Sequence, residues 1–182
     1  MPAAPDDLFA YLDRLGISHR SVSHSPLFTV EQSRALRGTI PGGHSKNLFL
    51  RDKKGALFLL SALEQTTIPL KSLHRALGAT GRLSFATAEA MQTMLGVEPG
   101  SVTPFAVLND TTHQVRVALD AGLLNEPLIN FHPLVNTMTT GLAPRDLLRF
   151  LNETGHPPAI LAFPQDDGDT IRPIAIGPDN PI

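Results

Sequence analysis

The chain reads as an α+β domain: a mixed sheet with helices packed on it, or a partly closed barrel. Three observations lead there. Helical and extended stretches interleave along the chain with no internal repeat. Two consecutive stretches, Ser45–Asp52 and Ala56–Ala62, carry apolar residues on both strand faces, as in a sheet covered on two sides. The helical stretches begin and end on recognisable capping residues.

Pro5-Asp6-Asp7 opens a helix through Leu8, Phe9, Leu12 and Leu15, with acid in its first turn and Gly16 as its stop. Ile17–His24 holds a short strand. Thr29-Val30-Glu31-Gln32 has the form of a capping box, and the helix it opens runs through Arg34 and Arg37 to Gly38. Ser45–Asp52 is a strand with Asn47, Phe49 and Arg51 on one face and Lys46, Leu48 and Leu50 on the other. Asp52-Lys53-Lys54-Gly55 has Asp first and Gly fourth, the preference of a type I turn, and Ala56–Ala62 returns as the next strand.

Pro69–Leu77 forms a helix ended by Gly78, Arg82–Ala86 a strand, and Thr87 caps a helix that Gly96 stops. Pro104–Asp110 is expected as a strand with Pro at its first position, followed by strands at Val115–Asp120 and Pro127–Phe131. His132–Thr140 begins as a turn and ends extended. Pro144 opens the last helix, which closes near Gly155, and Ala159–Phe163 is a terminal strand. Residues 1–163 form the domain. Residues 164–182, rich in Pro, Asp and Gly, form a tail that lies on the domain or is disordered.

Composition narrows the chemistry. With 182 residues the chain is long enough for a substantial core, and 42% apolar residues argue against disorder. The absence of cysteine removes disulfides, thiol nucleophiles and Cys-ligated metals. A net charge of -2 argues against stable DNA binding, although a short nucleic acid end could be held by a local patch. No signal peptide or membrane span is expected, so the reading is cytoplasmic.

Gly38–Ser45 resembles a P-loop in spacing, but His44 stands where the phosphate-binding lysine belongs, and the order is helix then strand. Nucleotide hydrolysis is therefore rejected. None of the seven histidines forms the i, i+4 pair of a zinc hydrolase, and no Gly-x-Ser-x-Gly elbow is present. What remains is a cation at the mouth of the core, Lys46; a loop, Gly100-Ser101-Val102-Thr103-Pro104, whose amides could face a ligand carbonyl; and His132, held extended by Pro133 at a strand end.

Together Lys46-Asn47-Leu48-Phe49-Leu50-Arg51-Asp52, Gly100–Pro104 and Asn130–Asn136 resemble the YbaK/ProX family of aminoacyl-tRNA editing domains, related to the editing insertion of bacterial prolyl-tRNA synthetase. The resemblance spans about Pro5 to Phe163 and is strongest to the freestanding ProX-type members. It implies a mixed, twisted sheet with flanking helices, no metal and no cofactor. It also implies hydrolysis of alanine mischarged on proline tRNA, Ala-tRNA(Pro), with a transient association with prolyl-tRNA synthetase.

By the same resemblance Lys46 holds the tRNA 3′ end and the ester. Asn47, Gly100, Ser101, Val102, Thr103, Pro104 and His132 bind the substrate. A positioned water, activated by a ribose hydroxyl or by a protein base, would then cleave the ester. Arg34, Arg37, Lys53, Lys54 and Arg82 are candidates for the tRNA surface. The alternatives are a deacylase for another ester, of cysteine or serine, and a non-catalytic module that binds tRNA or another nucleic acid.

Overall fold

The structure, a computed structural model, describes residues 1–26, 38–164 and 170–175. The helix expected from Thr29, with Arg34 and Arg37 on it, lies outside the described residues. Helix α1 (Pro5–Arg14) starts as anticipated: Asp7 accepts the amide of Ala4 at 2.8 Å, and Leu8 and Leu12 are buried. Chain order then gives β1 (His19–Ser23), β2 (Gly43–Arg51), β3 (Leu57–Leu63), α2 (Leu70–Ala76) and β4 (Ser84–Phe85). After these come α3 (Ala88–Ala90), β5 (Val115–Asp120), α4 (Ala121–Leu124), β6 (Ile129–Phe131), β7 (Met138–Leu142), α5 (Pro144–Glu153), β8 (Ala159–Ala162) and β9 (Arg172–Ile174).

The strands make one mixed sheet in the order β1-β7-β6-β2-β3-β5-β8-β9, with β4 beside β2. Pairing is parallel for β2–β6, β3–β5 and β5–β8 and antiparallel elsewhere. Both faces are covered, as the two-sided apolar pattern required. Phe49, Leu59, Leu119 and Phe131 pack with Leu8 and Leu12 of α1 and Phe150 of α5 on one side. Leu50, Phe58, Leu60 and Ala118 pack with Leu73 of α2 on the other. Each Leu or Phe among them contributes about 1.5–3 kcal/mol by leaving water.

The hairpin turn is built on Asp52, whose carboxylate accepts the amides of Lys54 (2.8 Å), Ala56 (2.9 Å) and Thr80 (2.8 Å). The Gly55 amide closes onto the Asp52 carbonyl at 3.1 Å, the i to i+3 bond expected of the turn. A second knot ties the far end of the domain. Asp110 accepts the Val115 amide at 2.7 Å and bonds His156 at 3.1 Å, both side chains sealed from solvent.

Three expectations are corrected. Pro104–Asn109 is a 3-10 helix, not a strand: Thr103 caps it by accepting the Phe105 amide, Pro104 sits at its first turn, and Pro104, Phe105, Ala106 and Val107 are buried. The Thr87 helix is α only over Ala88–Ala90 and continues as a π turn, Met91–Leu95, before Gly96. Strand β2 begins at Gly43, two residues before the expected Ser45, inside the stretch that resembled a P-loop. Gly42, at φ +105, passes so close to β6 that a Cβ would meet the Leu128 carbonyl at 2.7 Å. Within the segment read as a tail, β9 adds antiparallel to β8, and Pro173 is accommodated because that strand is the sheet edge.

Candidate active site

Strand β2 carries the site's first two residues on opposite faces, since successive side chains alternate. Lys46 lies opposite Ala62, and Asn47 opposite Ser61, on β3. Asn47 is stitched in place: its Oδ1 accepts from the buried Ser61 hydroxyl at 2.7 Å, and its amide reaches Ser45 Oγ at 3.5 Å. Ser45 in turn donates to the Asn130 carbonyl at 2.9 Å, so one polar chain runs across β3, β2 and β6.

Lys46 is half-buried. Its ammonium donates to the Thr66 carbonyl just beyond β3. The Thr66 hydroxyl donates to Asp120 Oδ2 at 2.6 Å, and Asp120 also accepts the amides of Leu63 (3.2 Å) and Gly122 (2.8 Å). Burial lowers the Lys46 pKa from its ordinary value, and the negative charges of Glu64 and Asp120 oppose that shift. Beside this arrangement a cavity of about 430 Å³ is lined by residues that include Gln65, Thr66, Asp120, Gly122, Asn125 and Phe163.

His132 follows β6 directly. Its Nδ1 donates to the Met138 carbonyl at 2.9 Å, which fixes the tautomer and leaves Nε2 as an acceptor in the neutral ring. Burial lowers its pKa, the bond to Met138 partly offsets this, and the nearby His24 lowers it further. His24 is one of the neighbours of the candidate site that sequence reasoning missed. Its ring lies 6.3 Å from that of His132 and is held by Thr139 Oγ1 at 3.0 Å and the Ser25 carbonyl at 2.8 Å. The separation of 115 residues between His24 and Thr139 left no signal to read.

The Gly100 loop is shaped by its own backbone. Gly100 sits at φ +91, where a side chain is strained, and the Ser101 amide donates to the Glu98 carbonyl at 3.0 Å. Ser101, Thr103 and Pro104 are buried, and Val102 packs on the core. Ser101 faces Leu134, Val135 and Asn136 across a cavity of about 390 Å³, so the loop meets the segment that follows His132. The contacts thus join the loop to the His132 segment, and Lys46 to Thr66 and Asp120. The polar chain through Ser45 links the Lys46 strand to the His132 strand.

Lys53, Lys54 and Arg82 are exposed and gather at the hairpin turn, where the Lys53 stem lies against Gly81. That turn is at the far end of β2 from Lys46. Among the described residues no three His, Asp or Glu side chains converge as a metal site, and no helix is long and apolar enough to cross a membrane.

Comparison with known proteins gives a consistent picture. Residues 24–150 match the model of the aminoacyl-tRNA editing domain. A prolyl-tRNA synthetase associated domain-containing protein 1 from Danio rerio is 39% identical over 159 residues, covering 86% of each chain. The prolyl-tRNA editing protein ProX of Acetoanaerobium sticklandii is 35% identical over 154 residues, 84% of this chain and 93% of that one. A crystal structure of a candidate trans-editing enzyme for prolyl-tRNA synthetase superposes with a TM-score of 0.64 at 20% identity, over 88% of this chain and 98% of that one. At that identity the likeness establishes the fold.

Proposed function

The chain belongs to the aminoacyl-tRNA editing domain family, and on that premise we propose that it is a freestanding deacylase that removes alanine from mischarged proline tRNA. The observation that carries this reading is Lys46: a half-buried ammonium at the lip of a two-sided core, turned to one backbone carbonyl. An ammonium has three N–H donors, and those not directed at Thr66 suit the phosphate and ester oxygens of a tRNA 3′ end.

In this reading amides of the Gly100–Thr103 stretch, other than that of Ser101, face the ester carbonyl and stabilise the charge that develops on its oxygen as water adds. The neutral Nε2 of His132 accepts a hydrogen bond from the substrate's α-ammonium or from that water. Asn47 holds the strand register that aims Lys46. The 2′-hydroxyl of the terminal ribose activates the water, because an aminoacyl ester is reactive enough to need no stronger base. Each tenfold of rate requires only about 1.4 kcal/mol.

Specificity follows from size. A pocket built for proline cannot strongly reject the smaller alanine, since lost apolar contacts discriminate by about 1–3 kcal/mol. A second pocket that admits alanine and excludes proline corrects the error. Lys53, Lys54 and Arg82 contribute a basic surface for the acceptor arm, and prolyl-tRNA synthetase is the transient partner that releases the substrate.

The test is deacylation of alanine-, cysteine- and serine-charged proline tRNA by wild type and Lys46→Ala. Alanine release that disappears in the variant supports the reading. Preference for another ester redirects it within the family, and binding without hydrolysis of any ester refutes it. Unchanged rates on tRNA ending in 2′-deoxyadenosine would remove the ribose hydroxyl from the mechanism.

A further inference from the structure

We infer that Asp120 is a positioning residue for Lys46, acting through Thr66: the carboxylate holds the Thr66 hydroxyl, and the Thr66 carbonyl holds the ammonium. The inference rests on the reading of Lys46 as the group that contacts substrate.

The geometry is specific. Asp120 closes β5 and is 3% exposed, on the same strand face as Ala118 and, across β3, Ala62, the partner of Lys46. Its Oδ1 accepts the Gly122 amide and caps α4, which is an ordinary structural role. Its Oδ2 does something else. It takes both the Leu63 amide and the Thr66 hydroxyl, at 3.2 and 2.6 Å, and so fixes the turn that leaves β3. That turn presents the Thr66 carbonyl to Lys46.

A buried carboxylate costs free energy unless it is well bonded, and hydrogen bonds to an ionised acceptor are the strong ones. The arrangement therefore holds a full negative charge one residue away from the Lys46 ammonium without forming a direct ion pair. A direct pair would occupy donors that substrate needs. An intervening neutral carbonyl orients the ammonium and leaves it exchangeable.

Two negative groups act on the ammonium, Glu64 just beyond β3 more strongly and Asp120 from β5, while His44 shares its face of β2 and bonds the Ile40 carbonyl. Removing the Asp120 charge leaves the effect of burial less opposed. Lys46 then loses its proton at lower pH, and the charge needed for phosphate is lost earlier.

The experiment measures kcat/KM for alanine-charged proline tRNA across pH, together with the NMR titration of the Lys46 side chain in the free protein. The proteins are wild type, Asp120→Asn, Thr66→Val and Thr66→Ser, each also in a Lys46→Ala background. Asp120→Asn is expected to lower kcat/KM roughly tenfold, the scale of one charge-assisted contact, and to move both the alkaline limb and the Lys46 titration to lower pH. Thr66→Val lowers kcat/KM in the same direction, and Thr66→Ser, which keeps the hydroxyl, stays near wild type. None of the three changes the residual rate of Lys46→Ala.

An unmoved Lys46 titration in folded Asp120→Asn overturns the inference, as does an equal rate loss in the Lys46→Ala background. Should Asp120→Asn fail to fold, the Thr66 pair decides: equal rates for Val and Ser overturn it. Should wild type hydrolyse no ester, the deacylase reading fails by itself. The titration then decides alone whether Asp120 sets the Lys46 charge.

Discussion

Asp110 and Asp120 are both buried carboxylates at the ends of regular elements, yet one lies in a structural knot and the other beside a candidate site. Around Asp110 the bonds run to the Val115 amide, to buried His156 and, through exposed Thr112, to the neutral side-chain amide of Gln114. The knot even contains a buried His156 Nδ1 with no partner. Around Asp120 the bonds lead outward through Thr66 to an ammonium that retains donors. Burial of a hydrogen-bonded carboxylate does not by itself identify a functional site. The distinguishing feature is where the chain of hydrogen bonds ends.

Substitutions should separate the two regions. Asp110→Ala leaves an amide and an imidazole without their acceptor in the core, and should cost about 1–3 kcal/mol for each group left unsatisfied. Urea unfolding would report this, while activity per folded molecule stays near wild type. Lys46→Ala should do the reverse. A loss of about a hundredfold in kcat/KM, roughly 2.7 kcal/mol of barrier, is expected with an unfolding midpoint close to wild type. If both variants lose stability alike, the contrast between knot and site is void.

Gly100→Ala sharpens the comparison at smaller scale. The added Cβ would meet only Asn136 Nδ2, at 4.0 Å, so the cost is conformational and about 1–2 kcal/mol. Because that strain falls on the loop proposed to face the ester, it should reduce kcat more than it shifts the unfolding midpoint.

The pH dependence is the subtlest. Burial raises the Asp110 pKa, but the hydrogen bonds from Val115, His156 and Thr112 outweigh it and hold the value low; the amides of Thr80, Ala56 and Lys54 hold Asp52 low. The unfolded chain therefore takes up protons first. Stability from both groups is present above about pH 4 and is lost as pH falls through their lower folded values. His132, lowered mainly by burial, has the same sign but acts earlier, below about pH 6.5. The urea midpoint should fall slightly from pH 7 to 5 and steeply below 4. In His132→Asn the first, shallow step should disappear.

Much of the fold was legible because local signals and burial agreed. Asp52 and Gly55 announce the hairpin, the two-faced apolar pattern of Phe49 and Leu50 announces a covered sheet, and Pro144 opens α5 as read. The 3-10 helix at Pro104 was misread because an all-apolar run has no period to measure. The Thr103-Pro104 pair at its start already carried the cap and first-turn signal. Helix α4, Ala121–Leu124, is too short to show a face. In the candidate site, Lys46, the Gly100 loop and His132 stood out through their local chemistry and a family resemblance. Asp120 and His24 did not, because their roles depend on partners 54 and 115 residues away.

The pairing of β1 with β7 has a consequence for the newly made chain. Ser21 meets Thr140, 119 residues later, so β1 has no partner until nearly all of the domain has emerged. At about 5–20 residues per second of synthesis, that wait lasts roughly 6–24 s. During that time β1 and His24, which follows it, have no β7 to dock on. The histidine pair, and with it that side of the candidate site, can assemble only in the last stage of the domain's birth.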